Sequence, residues 1–92
     1  MTIFAIIASS GPLSGGLTAD IVAHAEFRHL RVADHLWLVA GGGTAKEVAD
    51  KLGISEGKKG SAIVLEISSY WGRATPDVWS WVKTNWEATE NA

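Results

Sequence analysis

His29-Leu30-Arg31-Val32-Ala33-Asp34-His35-Leu36-Trp37-Leu38-Val39 is the stretch on which the fold turns. Two short strand-like segments, Leu30-Arg31-Val32 and Leu36-Trp37-Leu38-Val39, flank Ala33-Asp34-His35, where the aspartate suits a tight turn. If the chain reverses there, the stretch is an antiparallel hairpin and the order of elements becomes βαββαβ. If it runs straight through, the order is βαβαβα, a three-stranded parallel sheet of flavodoxin-like character. The aspartate favours the reversal.

Upstream, Ile3-Phe4-Ala5-Ile6-Ile7-Ala8 is a continuous apolar run closed by Ser9-Ser10-Gly11-Pro12. Such a run suits a central strand covered by helices on at least one face. The loop over residues 9–16 is rich in Ser, Gly and Pro. Thr18 then offers an N-cap oxygen to a helix predicted over 19–28, with Leu17, Ile21 and Ala25 on its buried side.

Downstream, Gly41-Gly42-Gly43 ends the second segment, and Thr44-Ala45-Lys46-Glu47 has the spacing of a capping box. The helix it starts buries Ala45, Val48, Ala49 and Leu52, and Gly53-Ile54 has the form of a Schellman stop. A strand follows over 62–69, with Ile63, Leu65 and Ile67 on one face and Val64 and Glu66 on the other. Thr75-Pro76 then opens a third helix to about residue 88, with Val78, Trp79, Val82 and Trp86 on one face and Trp81 and Asn85 away from its centre. Right-handed crossovers put the first two helices on one face of the sheet. The predicted fold is α/β (α+β), a ferredoxin-like βαββαβ sandwich with an additional C-terminal helix, spanning 1–92 as a single domain.

Ninety-two residues, 47% hydrophobic and 20% charged, make an ordinary globular composition with material for one core. With no cysteine, disulfides and thiolate zinc sites are excluded, and the cytoplasm is the natural compartment. A formal charge of -2 argues against a surface that tracks many phosphates, so nucleic acid is not favoured as a partner. The apolar run at the N-terminus is too short for a membrane span.

Chemistry-bearing patterns are sparse, and no cofactor is implied. Gly41, Gly42, Gly43 and Thr44 form a candidate anion-binding loop at a helix N-terminus, but neither GxxxxGK[ST] nor GxGxxG is present. The glycine loop over 9–16 lies at the other end of the sheet in the ferredoxin-like plan. His24, His29 and His35 with Asp20, Glu26 and Asp34 are the nearest approach to a metal or acid/base cluster, and a solvated helix face explains the Asp20–His24 spacing equally well. No GxSxG elbow surrounds any serine. Five tryptophans are more than so small a core readily hides, which points to an interface; Trp71, Trp81, Tyr70 and Trp37 are its candidate residues.

The 29–39 stretch, the helix from Thr44, the strand over 62–67 and Trp79-Ser80-Trp81-Val82 together resemble small Cas2-like proteins, relatives of the CRISPR adaptation nucleases. The resemblance implies a ferredoxin-like fold and a homodimer, and for nuclease members an aspartate at the end of the first strand that binds a divalent metal between subunits. Here that place reads Ala8-Ser9-Ser10-Gly11, with no carboxylate. The expected function is therefore a non-catalytic homodimeric protein-interaction module. The alternatives are a metal-dependent nuclease using Asp20, Asp34 or the histidines instead, and a small-ligand or phosphate-sensing domain built on a glycine loop.

Overall fold

The computed structural model describes residues 2–9, 11–24, 27–54, 61–68, 72, 74 and 76–90. Its elements in chain order are β1 (Thr2–Ala8), α1 (Gly15–Ala23), β2 (Arg28–Ala33), β3 (Leu36–Gly41), α2 (Ala45–Lys51), β4 (Ala62–Glu66) and α3 (Pro76–Glu90). The four strands form one sheet in the order β2-β3-β1-β4, and every neighbouring pair is antiparallel. This is the ferredoxin-like arrangement: each helical crossover skips one strand, and the chain reverses at Asp34.

That reversal is a two-residue turn. Ala33 pairs with Leu36, and Asp34 and His35 lie between them. Neither takes a positive φ, so the turn lacks the left-handed conformation that best matches strand twist. The register shifts between Arg31 and Ala33, leaving Val32 as an extra residue. Such a bulge increases local right-handed twist and compensates for the turn. The Arg31 guanidinium forms an ion pair with the Asp34 carboxylate across the turn. The Asp34 and His35 carbonyls accept the Leu13 and Ala8 amides at 2.8 and 2.9 Å, which ties the hairpin to the end of β1. Both strands are longer than the two segments suggest, because backbone pairing continues through Arg28 and His29 at one end and Ala40 and Gly41 at the other.

β1 and β3 read as uninterrupted apolar runs because both of their faces are covered. Phe4, Ile6, Trp37 and Val39 meet Leu17 and Ile21 of α1 and Val48 and Leu52 of α2 on one side of the sheet. Ile3, Ala5, Leu38 and Ala40 meet Val82 of α3 on the other, with Val78, Trp81 and Trp86 packed around it. Full burial of an aliphatic or aromatic side chain contributes about 1.5–3 kcal/mol, so these two layers supply most of the driving force for folding.

α1 departs from expectation at both ends. Its N-cap is Ser14, whose Oγ accepts the Leu17 amide, and Thr18 lies inside the helix with its hydroxyl donating to the Gly15 carbonyl. Two hydroxyl residues four apart compete for the cap, and glycines at 15 and 16 are tolerable within a first turn. The helix stops at Ala23 rather than near 28, because Arg28 is already pairing with β3; His24 stacks on buried Phe27 with ring centroids 4.7 Å apart in the connection. Ala25 and Glu26 lie outside the described residues.

α2 follows expectation closely. Thr44 Oγ1 accepts the Glu47 amide and a Glu47 carboxylate oxygen accepts the Thr44 amide, at 3.2 and 3.3 Å. At its end Ile54 donates to Ala49 and Gly53 to Asp50, with Gly53 at φ 73°, and Ile54 packs on the core. Thr44→Ala removes one half of the box and is expected to lower stability by about 1 kcal/mol, seen as a shift of the urea midpoint at unchanged slope.

α3 packs Val78, Val82 and Trp86 on the sheet as predicted, but its inner face also takes in Trp81 and Asn85. Asn85 is 2% exposed, and Trp81 packs on the sheet beside Val82. The apolar pattern of the sequence pointed away from Asn85 because an amide is costly to bury unpaired. Here it is paired: its NH2 donates to the Trp81 carbonyl at 2.8 Å and its oxygen accepts from the Arg28 guanidinium at 3.3 Å. Arg28 thus binds α3 to the sheet edge. Thr75, expected as its N-cap, lies outside the described residues.

Candidate functional site

Among the described residues α3 packs mainly over β1 and β2, and β4 lies beyond its main contacts. Ile63 and Leu65, which face the α3 side of the sheet opposite Ile7 and Ala5 of β1, are therefore 52% and 49% exposed. Scattered exposed apolar residues are ordinary. These two stand next to each other on one face of one strand, beside half-buried Ile7. The alternation over 62–69 read the two faces of β4 correctly but could not show that the third helix packs mainly over β1 and β2.

β4 is also a sheet edge. The Ile67 amide donates to the Ile3 carbonyl and the Ser9 amide to the Ser61 carbonyl, at 2.9 and 3.2 Å. Odd-numbered β4 residues therefore turn their amides and carbonyls toward β1, and Ala62, Val64 and Glu66 turn theirs to the open side. No strand pairs with that side among the described residues. The opposite edge, β2, carries exposed Arg28, His29 and Arg31 and the bulge at Val32. Charge and bulges are how natural sheets protect an edge; β4 pairs with β1 without a bulge and carries one charged side chain, Glu66, at its end.

The aromatic interface candidates fall elsewhere. Trp37 is 8% exposed, under α1 and α2, with His29 stacked on it at 5.8 Å between ring centroids. Trp81 is half-buried against the sheet. Tyr70 and Trp71 lie outside the described residues, a few positions beyond β4 in the sequence.

The glycine loop before α2 holds a carboxylate of its own. Glu47 accepts the Thr44 amide, and a Cβ added at Gly43, whose φ is 94°, would meet the Glu47 carboxylate at 3.3 Å. An anion approaching Gly41, Gly42, Gly43 and Thr44 meets that negative charge at the helix end it would need. Because β1 and β3 are antiparallel, with Thr2 opposite Gly41, this loop and the one after β1 sit at opposite ends of the sheet, as expected.

At the other end, Ala8, Ser9, Gly11, Pro12, Asp34 and His35 line a shallow concavity of about 450 Å³. Ser9 Oγ donates to the Ser61 carbonyl and Asp34 is held by Arg31, so both groups serve the scaffold. The titratable residues of the sequence cluster disperse: Asp20 lies within α1, His24 caps it, His29 lies on β2, and Asp34 and His35 form the hairpin turn. Among the described residues, no three His, Asp or Glu side chains come together in a way that could hold a metal ion. No described helix is long and apolar enough to cross a membrane.

Comparison of the chain with protein-family models, with curated proteins and with solved structures gave no match.

Proposed function

We propose that this chain is a non-catalytic, homodimeric protein-interaction module of Cas2-like type that works in the cytoplasm. The observation that carries this reading is the pair Ile63 and Leu65, two large aliphatic side chains about half exposed on the sheet face whose centre, Ile3, Ala5, Leu38 and Ala40, is buried beneath α3. A small domain gains stability by covering such surface with a second subunit. The ferredoxin-like order of strands and the serine at the end of β1, where nuclease members of the resembled family carry aspartate, support the Cas2-like and non-catalytic parts. The interface candidates move from the buried Trp37 to β4, with Tyr70 and Trp71 close behind it in the sequence.

Light scattering at high micromolar concentration tests the reading. The parent chain of 9.8 kDa is expected to scatter as a dimer, and Ile63→Lys with Leu65→Lys is expected to scatter as a folded monomer. A parent chain that stays strictly monomeric overturns the proposal.

A further inference from the structure

Resting on the dimer reading above, we infer that two copies join edge to edge, β4 against β4, antiparallel about a two-fold axis through Val64. Three features of β4 lead there. Its outward amides and carbonyls belong to Ala62, Val64 and Glu66, and a two-fold at Val64 sets Val64 opposite its counterpart and Ala62 opposite Glu66 of the second copy. All three outward residues then lie in narrow pairs, each exchanging two hydrogen bonds, for about six in total. In the same register Ile63 falls opposite the second copy's Leu65, so each of the four exposed aliphatic side chains gains a cross-strand apolar neighbour that covers part of its surface.

Charge also allows a second copy at this edge. Glu66 is the charged residue of the strand, and in this register it faces alanine rather than another glutamate. The assembly closes at two, because pairing uses up the β4 edge of each copy and the outer β2 edges carry the Val32 bulge and the arginines that resist further addition. An edge dimer therefore uses the less protected edge of the sheet and leaves the more protected one outside.

Two measurements test the geometry separately from dimerisation itself. Val64→Pro removes one outward amide while leaving every β1–β4 bond in place, since Val64 does not point its amide at β1. It is expected to weaken association about 100-fold or more in sedimentation equilibrium, with far-UV circular dichroism unchanged. Independently, the chain has no cysteine, so Ser61→Cys accepts a single spin label on an exposed residue. At a strand rise of about 3.4 Å, two residues 61 placed three positions either side of the axis have Cα atoms about 20 Å apart. A label distance consistent with that separation supports the edge pairing even if the proline variant fails to fold. A parent dimer whose label distance lies well away from it, or which Val64→Pro leaves as tight as before, overturns the β4 geometry while the dimer itself stands. A monomeric parent overturns both.

Discussion

Phe4→Ala will lower the stability of the domain by about 4 kcal/mol, the largest loss expected from any single truncation in the sheet. Phe4 is fully buried in the middle of β1, paired with Val39 on one side and Glu66 on the other, and it lies in the layer formed by Leu17, Ile21, Val48 and Leu52. Removing the ring forfeits its transfer free energy and leaves a cavity between two helices and a sheet. Neither helix closes that cavity easily, because α1 is fixed by the Ser14 cap and α2 by the Thr44–Glu47 box.

A domain of this length is stable by roughly 5–14 kcal/mol, so the variant approaches the limit of folding. The thermal midpoint should fall by about 15–30 °C. Val22→Ala, at a side chain 56% exposed on the outer face of α1, should change stability by less than about 0.5 kcal/mol. A Phe4→Ala midpoint within a few degrees of the parent would contradict the placement of Phe4 at the centre of the core.

The contrast between those two positions reflects what was legible in the sequence. Runs of apolar residues without alternation, at 3–8 and 36–39, marked the two strands covered on both faces, and the aspartate at 34 marked the reversal between hairpin strands. The capping box and the Gly53 stop were readable because each depends on residues within four positions of one another. α1 was misplaced because Ser14 and Thr18 offer nearly equal caps, and the choice between them depends on how far the chain must travel to reach β2. The buried face of α3 was misjudged at Asn85, whose burial depends on Arg28, 57 positions away.

The candidate site was legible only in part. That Ile63 and Leu65 share a face follows from the two-residue period of a strand. That the two are about half exposed follows from the path of α3, whose main contacts are with β1 and β2, a tertiary fact with no local signature. The tryptophans drew attention to α3 and to Trp37 by their size, yet Trp37 spends its surface within the chain's own core. An open edge becomes visible only when the strand order is known, because nothing within β4 itself says that no described strand lies beyond it.

Val82→Asp should release α3 from the sheet and cost about 3–5 kcal/mol near neutral pH. Val82 is 4% exposed and faces Ile3, Ala5, Leu38 and Ala40, none of which can pair with a carboxylate. Burial raises the folded-state pKa of the introduced carboxyl above its unfolded value of about 3.9. A raised folded pKa means that the penalty is absent below the unfolded value and grows as pH rises through the folded one. The variant should therefore come closest to the parent near pH 4 and fall furthest behind above pH 7, each compared with the parent at the same pH. Trp79, Trp81 and Trp86 ride on α3 whereas Trp37 lies under α1 and α2, so undocking should shift tryptophan emission to the red before the strand amides of β1 lose protection from exchange. Emission and exchange protection lost together would show that α3 and the sheet fold as one cooperative unit. A gap between them would make α3 a separable cover over Ile3, Ala5, Leu38 and Ala40.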